Sequence, residues 1–124
     1  MRLLLGMVLA ASLVHAAKTL DVYFVDVEGG QATLFVTPGH QSLLIDIGWP
    51  GNNGRDADRI VAAAKRAGVT RIDYVLITHY HRDNGGGVPQ LTARIPVGTF
   101  ITTGSTVRLR MQPPVKCGKR IKGF

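Results

Sequence analysis

His79, His81 and Asp83 recur at every second position within Asp73 to Gly87, DYVLITHYHRDNGGG. Two imidazoles and a carboxylate form a donor set that suits a borderline metal ion, Zn²⁺ before others. A zinc centre that does chemistry needs about three protein ligands and an open position, where water is acidified to a pKa of about 7. In an extended segment alternate side chains fall on one side, so this spacing predicts that the three converge. The adjoining Asn84 offers an amide oxygen, which suits harder cations and is a poor partner for zinc. An ordinary surface loop could carry the same residue types. The strand-like run ahead of them, their alternation, and Gly85, Gly86 and Gly87 behind them argue for a built site instead.

The elements that must position these residues are legible on either side. Residues 73–77 are aromatic, β-branched or aliphatic after the leading Asp, which predicts a short buried strand that stops at Thr78. Upstream, residues 19–27, 31–37 and 41–47 read as three strands. Glu28, Gly29 and Gly30 end the first, Pro38 and Gly39 end the second, and these tight connections predict an antiparallel meander. WPGNNG, residues 49–54, is a loop. A helix follows, capped by Asn53 or Asp56 and stopped by Gly68. Ala57, Ile60, Val61, Ala64 and Ala67 recur on its apolar side, with Arg55, Arg59, Lys65 and Arg66 on the wet side. A right-handed crossover then lays the strand at 73–77 beside that at 41–47. Residues 46–53 and 78–87 thereby meet at one sheet edge, beyond the carboxyl ends of neighbouring strands, where open α/β sheets take ligands. Residues 87–93 predict a short helix and 95–102 a last strand. Asp26 and Glu28 read as exposed hairpin ends, His40 as a solvent-facing turn residue, and Trp49 as a cap on the small core ahead of a substrate-facing aromatic.

HYHRDN followed by GG resembles the HxHxDH motif of the metallo-β-lactamase superfamily. DVYFVDVEGGQATLFVTPGHQSLLIDIG, residues 21–48, resembles the opening hairpins of that fold, most of all in secreted hydrolase domains related to competence-type DNA-uptake proteins. The resemblance covers residues 20–101. It implies an α/β fold, the N-terminal half of the metallo-β-lactamase αββα sandwich, with an antiparallel to mixed sheet and one main helix. It also implies a secreted metal-dependent hydrolase acting on a small-molecule ester, amide, phosphoester or thioester. His79 and His81 would bind one zinc ion. Asp83 would bind a second or orient the attacking water, which makes it the catalytic candidate. Asp46 resembles the aspartate of the family's LIDxG motif, which sits behind the metal-binding histidines; a turn-forming Asp ahead of Gly48 would look the same.

Asn84 stands where the family has a third histidine, which implies a weak second metal site. The family draws its remaining ligands, two histidines and a bridging aspartate, from its second half, and no His or Asp follows Asp83. The resemblance therefore implies one or two incomplete zinc sites in a truncated, weakly active or inactive copy. The alternative is a secreted, non-catalytic metal-binding or interaction domain that keeps the first half of the fold. Half a sandwich would expose a sheet face, which predicts self-association.

A length of 124 residues allows one small domain. Met1 and Arg2, the apolar run from Leu3 to Val14, and Val14, His15, Ala16 have the layout of a secretory signal peptide over residues 1–17. The run is too short for a membrane span, which needs about 20 apolar residues. This predicts a secreted or periplasmic protein with a domain over 18–103 and a tail over 104–124. Cys117 is the only cysteine, which excludes an intramolecular disulfide. The formal charge of +7 lies entirely behind the motif: eight basic residues balance eight acidic ones up to Asp83, and seven basic residues without an acid follow. Arg108, Arg110, Lys116, Lys119, Arg120 and Lys122, interleaved with prolines and glycines, read as a solvated or disordered tail whose composition is that of a foreign reading frame. The tail could attract phosphate backbones. With only Phe124 for stacking and no recognisable module, nucleic-acid binding through the basic tail ranks last among the readings.

Overall fold

The computed structural model describes residues 19–102 and the backbone of 106–107. The signal-peptide segment, Cys117 and the basic run from Arg108 lie outside the described residues. Six strands form one sheet in the order in which they occur along the chain. β1 (Asp21–Phe24), β2 (Thr33–Val36) and β3 (Ser42–Ile45) make the expected antiparallel meander. The chain then crosses through α1 (Arg55–Arg66) to β4 (Ile72–Ile77), parallel to β3. A second crossover through the short helices α2 (Arg82–Gly85) and α3 (Val88–Thr92) reaches β5 (Val97–Thr102), parallel to β4. β6 (Thr106–Val107) turns back antiparallel on β5 and carries the sheet past residue 103.

Strand register separates two faces. Leu34 pairs with Leu44, Leu44 with Val75 and Val75 with Phe100, and all four are buried in one cluster with Ala57, Ile60 and Ala64 of α1 and Leu91 of α3. Each fully buried Leu or Ile of that cluster contributes about 1.5–3 kcal/mol. The helix turns its apolar stripe inward as the spacing predicts, with Val61 and Ala67 at the margin. The opposite face carries Val22, Phe35, Leu43 and Tyr74, neighbours across β1 to β4, together with Phe24. Here Phe24 is 84% exposed and Tyr74 41%. One helical layer thus covers one face of a mixed sheet, and the other face is open and apolar. Among the described residues no helix is long and apolar enough to cross a membrane.

The start of α1 differs from expectation. Gly54, in the left-handed region at φ 81°, takes the cap position, and neither Asn53 nor Asp56 makes a side-chain cap bond. The Arg94 side chain occupies the space a Cβ at Gly54 would need. It is held there by bonds donated to Asp58 Oδ1 at 2.6 Å and to the Asn53 carbonyl at 3.0 Å. Asp56 sits one residue inside the first turn, only 2% exposed, where a carboxylate favours the positive end of the helix. It accepts the Trp49 N–H at 2.9 Å and Arg55 Nε at 2.8 Å, tying the loop after β3 to the helix. The guanidinium of Arg55, bonded to Asp56, has its already high pKa raised further. The wet side of the helix is also not bare. Arg55 and Arg59 reach back to Glu28, and Arg59 also bonds the Asp26 carbonyl at 2.8 Å, so the first hairpin is clamped to α1.

Candidate metal centre

Two loops build the site: residues 46–51 after β3 and 78–87 after β4. They leave adjacent parallel strands at the same sheet edge, as the crossover requires. Asp46 is where they are joined. Its backbone lies at φ 57°, unusual for a non-glycine residue and tolerated by Asp better than by most. Its carboxylate is 1% exposed. Oδ1 accepts the Thr78 backbone N–H at 2.9 Å, while Oδ2 accepts the Thr78 hydroxyl at 2.7 Å and Asn84 Nδ2 at 2.8 Å. Among the described residues no cation pairs with this carboxylate, so these three donors carry its stabilisation.

His79 and His81 stand just outside this buried knot, both exposed. Their ring centres are 4.5 Å apart, with the rings inclined at 75°. Two imidazoles bound to one tetrahedral zinc at about 2.0–2.1 Å have ring centres roughly 5 Å apart, so the pair fits two positions of one zinc shell after a small side-chain movement. Thr78 Oγ1 lies 3.0 Å from Nδ1 of His79, linking the nearer ring to Asp46.

Asp83 does not join the pair in the way its spacing suggests. His81 is still extended, but the chain turns helical at Arg82 and Asp83 is the second residue of α2, so strand alternation does not carry it to the side of the histidines. Among the described residues no three His, Cys, Asp or Glu side chains lie close enough to share a metal ion. Asp83 instead fixes the loop through its backbone: its carbonyl accepts the Gln31 N–H at 3.2 Å, and Gly30 is what allows this approach, since a Cβ there would lie 2.7 Å from that oxygen.

Asn84 is buried, 5% exposed, and turned inward. Its side chain donates to Asp46, and its carbonyl accepts the Ile47 N–H at 2.6 Å. It fastens the two loops together from the buried side. The glycines behind it serve close packing. A Cβ at Gly87 would lie 2.7 Å from Ile47 Cγ2 and 2.8 Å from the Ile47 carbonyl, and one at Gly86 would lie 2.5 Å from Pro50 Cδ. Trp49, 38% exposed, lies over the backbone of Gly30 rather than over the core, and Tyr80 is 73% exposed between the two histidines. His40 is exposed in its turn at φ 61°.

Sequence reasoning passed over Thr78 and saw Asp56 only as a cap candidate. The parallel register held the signal for Thr78: Ile45 pairs with Leu76, so Asp46 leaves β3 level with the end of β4 at Ile77, next to Thr78.

A model of the metallo-β-lactamase superfamily matches residues 25–123. The chain belongs to that superfamily. The mixed sheet with its single helical layer is accordingly one part of the metallo-β-lactamase sandwich, and its open apolar face is the kind of surface a second sheet covers. The superfamily match continues past the described strands into the basic stretch, beyond the residues 20–101 that the motifs alone cover. No curated protein sequence matches the chain.

Proposed function

We propose that this chain is a metal-dependent hydrolase domain of the metallo-β-lactamase superfamily, with His79 and His81 as paired ligands to one zinc ion. The observation that carries the reading is the pair itself: two rings with centres 4.5 Å apart at the carboxyl edge of a parallel strand pair, braced from behind by a buried carboxylate. When bound, zinc supplies Lewis acidity, which brings the ionisation of water toward neutrality. The chain's own residues divide the remaining work. His79 and His81 hold the ion, Asp46 holds Thr78 and with it the ligand loop, and Asp83, which α2 sets apart from the pair, is the candidate for binding a second ion or orienting water. The substrate class is a small molecule with an ester, amide, phosphoester or thioester bond, and the apolar leader at residues 3–14 supports export from the cytoplasm.

A second reading is favoured by one specific observation. With two of the roughly three protein ligands a working zinc centre needs among the described residues, the chain fits a metal-binding or interaction domain without turnover. The two readings separate cleanly in experiment. Zinc titration of the chain by calorimetry is expected to show one site, with affinity falling at least tenfold in His79→Ala and His81→Ala; equal affinity in all three proteins would refute the paired-ligand assignment. Zinc-dependent hydrolysis of a p-nitrophenyl ester, lost in both variants, supports the hydrolase. Zinc binding with no turnover leaves the binding domain.

A further inference from the structure

We propose that Thr78 is a positioning residue that decides which nitrogen of His79 is free to take a metal, and that Asp46 decides it through Thr78. The inference rests on the zinc reading above only in saying what the free nitrogen is for; the proton arrangement itself follows from counting hydrogens.

A carboxylate can only accept hydrogen bonds. The Thr78 hydroxyl, 2.7 Å from Asp46 Oδ2, must therefore be the donor of that bond. A hydroxyl has one hydrogen, and here it is spent. Toward His79 Nδ1, at 3.0 Å, Oγ1 can act only as an acceptor, so Nδ1 carries the ring proton. In the neutral ring Nε2 then keeps the lone pair, which is what a metal requires. In water the opposite tautomer of neutral histidine is favoured, so the bond to Thr78 reverses a default preference. Thr78 and His79 are exposed, and burial holds the far end of the relay firm. Asp46 is 1% exposed, the Thr78 backbone N–H fixes Oδ1 at 2.9 Å, and Asn84, itself buried, adds a second donor to Oδ2 at 2.8 Å.

Asp46→Asn is the incisive perturbation because it keeps the shape and reverses the direction. The Thr78 backbone N–H cannot turn, so the amide oxygen of the new residue must face it, which leaves the amide nitrogen facing Thr78 Oγ1. That nitrogen has two hydrogens: one goes to the Thr78 hydroxyl, which accepts it and releases its own hydrogen toward His79 Nδ1, and the other goes to Asn84, whose amide turns over so that its oxygen accepts where its nitrogen donated to Asp46. The ring proton then belongs on Nε2, and the nitrogen meant for the metal is blocked.

The test reads the tautomer directly from long-range ¹H–¹⁵N spectra of the uniformly labelled, metal-free chain, at a pH where the His79 ring is neutral. Wild type and Thr78→Ser are expected to show the proton on Nδ1; Thr78→Val and Asp46→Asn are expected to show it on Nε2. Zinc affinity is expected to fall about 10- to 100-fold in the latter two, the usual size of such outer contacts to a ligand, and to hold in Thr78→Ser. A wild-type ring protonated on Nε2 overturns the proposal without recourse to any variant that must fold. So does an unchanged tautomer in Thr78→Val. Failure of wild-type zinc binding with the proton found on Nδ1 refutes the zinc reading instead and leaves the Asp46–Thr78–His79 relay standing.

Discussion

Replacing Asp46 with alanine removes the acceptor for three donors in one step. The Thr78 hydroxyl can rotate to another acceptor, so its loss is modest. The Thr78 backbone N–H and the buried Asn84 Nδ2 cannot, and each donor left unpaired away from water costs about 1–3 kcal/mol. Two of them give about 2–6 kcal/mol. Against this stands the release of a buried carboxylate with no cation beside it among the described residues, whose desolvation opposes folding in the native protein. Alanine brings no benefit at φ 57°, which disfavours it as much as Asp or more. We expect a net loss of about 3 kcal/mol, a large share of the 5–15 kcal/mol by which domains are stable. In a urea titration followed by circular dichroism the midpoint should fall with the slope unchanged, because the surface exposed on unfolding hardly alters. A loss below about 1 kcal/mol at unchanged slope would mean that the donors find water and that the loops are held by something other than this carboxylate.

Asn84→His restores the residue type that the superfamily has at this position, yet it should add no second zinc site. The position is 5% exposed and aimed at Asp46, so we expect unchanged metal stoichiometry and lower stability; an added zinc equivalent by mass spectrometry would refute the inward placement. The open sheet face predicts that the chain self-associates at micromolar concentration, and that Phe24→Lys with Tyr74→Lys shifts sedimentation toward the monomer. A wild-type chain that sediments as a monomer throughout would remove that expectation.

The strands and the crossover were legible because their signals are local: apolar runs between turn residues, and a helix whose stripe lies within it and whose stop, Gly68, follows directly. What escaped the sequence depends on partners far along the chain. Gly54 caps α1 because Arg94, forty residues on, fills the space beside it and bonds the Asn53 carbonyl. Asn84 looked like a failed ligand because its environment is set by Asp46, 38 residues upstream, which turns the amide inward. The alternation of His79, His81 and Asp83 was read as one extended segment, but the chain curls into α2 at Arg82, and a period of two does not survive a helical turn. Asp46 itself was legible as a residue behind the histidines. Its reach through Thr78 was not, since that depends on the register of two parallel strands.

The order of the strands along the sheet has a kinetic corollary. Because each strand lies next to its predecessor, no strand has to be inserted between two that have already paired, and the sheet can grow from one edge as the chain is synthesised. The meander can form first, at short loop-closure distances. The bond that the Thr78 amide donates to Asp46 spans 32 residues and can close only when β4 has docked beside β3. Protection of that one amide against hydrogen exchange is therefore a clock for the first parallel crossover, and the histidines acquire their orientation at the moment it stops.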